Sequence, residues 1–311
     1  MPPSLRFRLL ALFAAVSAWG LVAVGGIVRV TESGLGCPDW PLCEGRAVPA
    51  GGQREALIEF SHRATAAVVT VLVVVVAAWA WRRYRLRRDI LVPALIAVAL
   101  VPVQAVLGAI VVWLELPAWI VGVHFVVGML FLAASVLVVA AAWRPRRPAA
   151  TRGFARLAWV SAGAGLLLVA AGVAVVTAEA DDACGEEWPT CNGALVAGGS
   201  DAVLQVVHRS LAYLVAVLAL LLAVLAWRGA GPRLAAALPL TAIAGQLGIG
   251  VAMVLAGHES GAHTTLAALH VGGAGAVWAS LVALAALTGS TALRPEPETL
   301  VARGEERRPR S

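Results

Sequence analysis

Leu57-Ile-Glu59-Phe-Ser-His62-Arg63 heads an apolar run that reaches Trp81, and Leu204-Gln205-Val-Val-His208-Arg209 heads another that reaches Trp227. Each run has the roughly 20 residues that a helix needs to cross a bilayer. The two also share a frame. The same 146 positions separate Glu59 from Gln205, His62 from His208 and Arg63 from Arg209. Thr31 and Thr177 keep that interval upstream, and His124 and His270 keep it downstream. Trp-Pro pairs recur at 40–41 and 188–189, and Gln104-Ala-Val-Leu-Gly108 matches Gln246-Leu-Gly-Ile-Gly250 at slightly different offsets. The chain is a tandem repeat.

Working outward, apolar stretches are expected to span a membrane at about 9–28, 62–81, 90–113, 119–143, 157–178, 204–227, 234–256 and 264–288. The 311 residues are 60% hydrophobic and only 14% charged, against about a quarter charged in soluble domains, so the protein is integral to a membrane. All basic residues are Arg. They form no binding face for nucleic acid, and none is expected as a partner. Instead they cluster by topology: Arg6 and Arg8; Arg82 to Arg88; Arg144 to Arg156; Arg228 and Arg233; and the tail from Arg294 to Arg310. Glu179 to Asp201 holds six acids and no Arg. By the positive-inside rule both termini are cytoplasmic and the cysteine loops face outside a cell membrane. The first run is long for a signal h-region and has a related run opening the second half, so it is read as a membrane helix. Trp81, Trp143 and Trp227 end spans as interfacial anchors.

Four spans per half put both halves in the membrane with one orientation. The expected fold is therefore an all-α integral membrane protein: eight transmembrane helices as two tandem four-helix bundles, related by a pseudo-two-fold axis along the membrane normal. The expected units are 1–150, 151–290 and a disordered cytoplasmic tail, 291–311.

His62, His124, His208 and His270 each fall near the start of a span that runs inward, so all four sit at one depth in the outer leaflet. A single intramembrane histidine is best read as a polar tie between helices. Four at matched depth in a duplicated frame point to ligation of iron. Two imidazoles per half, with no Cys or carboxylate pair beside them, fit neither tetrahedral zinc nor a di-iron site. They fit bis-imidazole axial ligation of one heme per half. Arg29, Arg63 and Arg209 lie at the same boundary, placed either to pair with heme propionates or to snorkel. His258 and His263 have no repeat partner and are read as solvated loop residues.

The halves differ where chemistry would show. Glu59 precedes His62 by one helical turn, on the same face, and its counterpart is Gln205. Alone, Glu59 reads as a helix N-terminal charge outside the membrane. Beside a heme ligand it reads as a catalytic carboxylate, with the second half only carrying electrons. Cys37 with Cys43, and Cys184 with Cys191, are expected as local disulfides in an oxidising space. Both bridges read first as loop staples; the Gly and Pro around Cys37 and Cys43 favour a tight, exposed turn, which leaves thiol–disulfide exchange or electron entry as the lesser alternative there.

Ser33-Gly-Leu-Gly-Cys37-Pro-Asp-Trp-Pro-Leu-Cys43-Glu-Gly45, preceded by Arg29-Val-Thr31, resembles the first outer loop of the heme A synthase family. The run from Leu57 to Arg63 resembles its second-helix signature, and 104–108 is similar too. The resemblance covers about 9–288. It implies conversion of heme O to heme A for cytochrome oxidases, by two successive oxidations of a ring methyl through a geminal diol that loses water. It further implies His208 and His270 as ligands of a resident heme b, His62 and His124 as ligands of the substrate heme, Glu59 as the catalytic carboxylate, and a heme O synthase as supplying partner. The electron partner has no signature in the chain. The main competitor is a diheme electron-carrying cytochrome b, which accounts for the histidines but not for Glu59 opposite Gln205. A heme exporter or a transporter with histidine proton relays accounts for less.

Overall fold

A computed structural model describes residues 2–144, 150–195, 198–257 and 260–288. Among them eight helices are long and apolar enough to cross a membrane: α1 (Leu5–Val30), α2 (Arg54–Tyr84), α3 (Arg88–Trp113), α4 (Ala118–Trp143), α5 (Arg152–Thr177), α6 (Ser200–Trp227), α7 (Arg233–Ala256) and α8 (Gly261–Thr288). No strand occurs among the described residues. The protein is an all-α, multi-pass membrane protein. The tail at 291–311 lies outside the described residues, as does His258.

Every expected span is present, and most run further than their apolar cores. Polar residues that can lie at the headgroups extend a helix whose backbone bonds are already made internally. The clearest case is α2, which begins at Arg54 rather than near 62. Glu59 and His62 are thus inside the helix. All four histidines sit about two turns in, not at the first residues of their helices. His263 also departs from its loop reading: it lies in the first turn of α8, with Nδ1 3.3 Å from the Met253 carbonyl oxygen.

The repeat is visible in local detail. Ser4 and Thr151 cap α1 and α5, each accepting the backbone N–H three residues on, from Phe7 and Phe154 at 3.3 Å. Both phenylalanines are fully buried in the first turn of their helices.

Packing follows sequence neighbours within each half. In the first, α1 meets α2, α2 meets α3, α3 meets α4, and α4 returns to α1; α5 to α8 close in the same order. The halves join through α4 and α8, which touch each other, while α1 lies on α8 and α5 on α4. Hence 61% of the α4 span and 56% of the α8 span are buried, against 17–33% for the other six. Those two helices stand at the centre, and both carry a histidine. The outer helices turn Val71, Leu167 and Val217 outward, as a lipid solvent permits.

Small residues let the central helices approach. A Cβ at Gly26, Gly122 or Gly165 would come within 2.7 Å of Val271, Val173 or Leu281 across the interface. Indole donors add ties: Trp19 Nε1 donates to the Gly272 carbonyl and Trp278 Nε1 to that of Met129, both at 2.8 Å.

Candidate functional site

Each histidine ring is seated against a glycine of the preceding helix. A Cβ at Gly25 of α1 would lie 3.2 Å from the His62 ring, and one at Gly108 of α3 would lie 3.6 Å from that of His124. In the second half the corresponding distances are 3.0 Å for Gly172 and His208, and 3.2 Å for Gly250 and His270. Four odd-numbered helices thus offer a bare backbone face to four imidazoles. Sequence reasoning missed this role. Its trace was present, because Gly108 and Gly250 close the matched glutamine segments.

The rings converge in pairs. His208 and His270 have centroids 6.4 Å apart, and His62 is within electrostatic reach of His124. All four side chains are partly exposed. The Nδ1 atoms of His124 and His270 are buried without a hydrogen-bond partner among the described residues. Two metal–imidazole bonds of about 2 Å fit between rings at that separation. No group of three His, Cys, Asp or Glu able to hold a metal occurs among the described residues. Paired imidazoles flanked by glycine, with Nδ1 of His124 and of His270 free of protein hydrogen bonds among the described residues, fit a heme iron that two histidines would hold.

Above the histidines, each disulfide closes a compact loop: Cys37–Cys43 and Cys184–Cys191 are bonded as expected from sequence. The sulfurs are not exposed, however. Cys37 and Cys43 are 0% and 2% accessible, packed with Ala56 and against Phe60 at the start of α2. The turn itself is exposed at Pro38, Pro41, Leu42, Glu44 and Gly45, but its bridge is covered by the start of α2. Matching turns finish the loops, with Glu44 and Asn192 in left-handed backbone at φ 54° and 53°. Asp39 accepts the N–H groups of Glu44 and Gly45, and Glu187 accepts that of Gly193. The Gly45 N–H in particular holds the Asp39 carboxyl below its ordinary pKa.

Arginines clamp these loops to the helices. Arg63 Nη1 donates to the carbonyls of Asp39 (2.8 Å) and Leu42 (2.6 Å), and Nη2 to that of Cys37 (3.0 Å). Arg209 Nη1 donates to those of Glu187 (3.1 Å) and Thr190 (3.0 Å). Both guanidinium groups are thus turned into the loop, where five carbonyls await a donor. Arg29 is exposed and has no such role.

Glu59 is only 4% exposed. One carboxylate oxygen pairs with Arg63, and the other accepts the Cys37 N–H at 2.7 Å. The solvated N-terminal charge is therefore the wrong picture: loop and helix enclose the group. Gln205 occupies the matching post with reversed polarity, its Nε2 donating to the carbonyls of Ala180 (3.0 Å) and Asp181 (2.8 Å).

Comparison with known proteins identifies the family. The model of the cytochrome oxidase assembly protein family (COX15-CtaA) matches residues 8–282. Curated proteins named heme A synthase are similar as well. That of Halalkalibacterium halodurans is 32% identical over 195 residues, covering 60% of this chain and 65% of that protein. That of Alkalihalophilus pseudofirmus is 30% identical over 198 residues, covering 61% and 66%. That of Shouchella clausii is 31% identical over 246 residues, covering 74% and 81%. The chain therefore spans just under two thirds of the first two relatives, and more of the third. With the match running from the first helix to the last, the chain belongs to the cytochrome oxidase assembly family that includes the heme A synthases.

Proposed function

We propose that the protein is a heme A synthase, an oxidoreductase that converts a ring methyl of heme O to a formyl group by two successive oxidations. The observation that carries this reading is the duplicated histidine seat with a buried carboxylate above only one copy. Electron carriage alone gives no task to a buried carboxylate over one seat. An enzyme needs one that differs.

In this reading His208 and His270, within 151–290, hold a resident heme b. His62 and His124, within 1–150, hold the substrate heme. Heme b when bound supplies one-electron redox chemistry. The chain's own residues do the rest. The glycine seats at 25, 108, 172 and 250 fix the rings against rigid backbone. The two disulfide loops, clamped by Arg63 and Arg209, roof the sites and limit water.

Glu59 acts on the substrate side. Its negative charge stabilises positive charge developing at the oxidised carbon, and its oxygen takes up the proton released when water adds there. Accepting that proton weakens the pair with Arg63. Arg63 stays in place nonetheless, because three loop carbonyls still hold it. The amide of Gln205 has neither capacity, in keeping with a second half that only relays electrons.

The arginine distribution supports cytoplasmic termini and outward-facing cysteine loops. The partners in this reading are heme O, a heme O synthase that supplies it, an electron acceptor or donor and membrane lipid.

Expression with heme O available, followed by chromatography of extracted hemes, tests the proposal. Wild type should yield hydroxylated or formylated heme beside heme b, and His62→Ala only heme b. Heme b alone from the wild type would overturn it and leave a diheme electron carrier.

A further inference from the structure

We propose that Gln104 and Gln246 are positioning residues, which set the depth and rotation of the histidine-bearing turns of α4 and α8. The inference rests on reading His124 and His270 as heme ligands. Gln246 is 8% exposed, deep in the bundle. Its Nε2 donates across the α7–α8 interface to the backbone carbonyl of His270 at 2.7 Å. Gln104 makes the same bond across α3–α4, to the carbonyl of His124 at 3.1 Å. In a regular helix that carbonyl already accepts the N–H four residues on. The glutamine adds a second donor, from a neighbouring helix, at the one residue of the turn that would hold iron.

Glycines make room for the amides. Gly273 lies one turn beyond His270, and a Cβ there would fall 2.0 Å from Gln246 Oε1. Gly128 lies one turn beyond His124, and its Cβ would fall 3.2 Å from Gln104 Nε2. Gly108 and Gly250, four residues after each glutamine, share its helix face and seat the rings. One turn of α3 and one of α7 therefore grip a histidine twice, by its backbone and by its imidazole.

Stability does not account for the grip. A single interhelical amide bond adds little to a membrane bundle. Oε1 of both glutamines is buried without a hydrogen-bond partner among the described residues, a penalty that an apolar side chain of equal size avoids. The same uneconomical residue at matched places in both halves is explained if its task is registry. The α4 and α8 backbones lie at the junction of the bundles, and each glutamine fixes only the histidine turn of its own half.

The test uses the full-length purified protein with its hemes, comparing wild type with Gln246→Met, Gln104→Met, Gly273→Ala and His270→Ala. Methionine keeps the length and removes the donor. Low-spin ferric resonance spectra and redox midpoints are read for each heme. Gln246→Met and Gly273→Ala should each shift the heme b signal and midpoint, or lose that heme, while the first-half site binds added heme O as in wild type. Gln104→Met should do the reverse. Unchanged signals in the glutamine variants, with His270→Ala losing heme b, would overturn the inference alone. So would equal disturbance of both hemes, the mark of general loosening. A wild type without heme, or a His270→Ala spectrum like wild type, would overturn the ligand reading and this inference with it.

Discussion

The Glu59 carboxylate accepts the Cys37 backbone N–H at 2.7 Å, tying the first disulfide loop to the helix that carries His62. Its repeat partner, Gln205, ties the α5–α6 loop to α6 by donating instead. The two posts are structurally equivalent and chemically opposite. Replacing Glu59 by Gln keeps an acceptor for Cys37 but sets an amide against the Arg63 guanidinium. We expect loop stability to fall by about 1–3 kcal/mol, heme b content to stay at the wild-type level, and heme A output to drop at least about 100-fold. Chromatography of extracted hemes checks this. Undiminished heme A would remove Glu59 from the chemistry.

The glycine seats make a steric prediction. At Gly172 a new Cβ would meet the His208 ring at 3.0 Å, so the ring must give way by a few tenths of an ångström. Gly172→Val adds two further carbons in that space. Overpacking of this kind costs about 1–3 kcal/mol, which corresponds to roughly 10- to 100-fold weaker heme retention. Hemochrome content per protein reads the loss. Full retention in the valine variant would show that the ring can shift freely.

Burial of the bridges predicts their chemistry. With Cys37 and Cys43 at 0% and 2% accessibility and Cys184 and Cys191 at 1% each, mild reductant should leave both disulfides intact in folded protein. Thiol labelling should appear only after unfolding. Serine in place of either pair should lower stability by about 2–4 kcal/mol, seen as a lower melting temperature. Labelling of the native protein at Cys37 would restore the thiol-exchange reading.

Asp39 gives the first disulfide loop an acid limit. The Gly45 and Glu44 N–H groups bond its charged form, so its folded pKa lies below the ordinary 3.8. A depressed carboxyl contributes stability that is whole above the unfolded pKa and is lost as pH falls through the folded one. The loop should therefore keep its structure from neutral pH down to about 4 and loosen below. Asp39→Asn should flatten that profile, as measured by proteolysis of the first disulfide loop against pH. An unchanged profile would assign the acid limit to another group.

Much of the architecture was legible because it is encoded locally. Apolar length marks a span wherever it falls, and a duplicated frame shows itself as one interval repeated at Thr31, His62 and His124. Arg63 and Arg209 were legible as boundary residues but not in their role. Whether a guanidinium turns to a propionate, the headgroups or a loop depends on which carbonyls the folded loop leaves unpaired, and spacing along the chain does not carry that. His263 misled because the polar, glycine-containing start of α8 resembles a loop until packing stabilises its first turn.

The amino-acid sequence alone determined a membrane protein of eight helices in two like halves, one histidine near the start of every second helix, two local disulfides and a carboxylate without a twin. Only tertiary structure decided that α4 and α8 take the centre, that glycines of α1, α3, α5 and α7 seat the rings, and that the bridges and Glu59 are enclosed. Hydropathy and repeat spacing belong to single segments, and they survive any arrangement of the helices. Seats, clamps and burial belong to pairs of segments, and they exist only once the helices have chosen their neighbours.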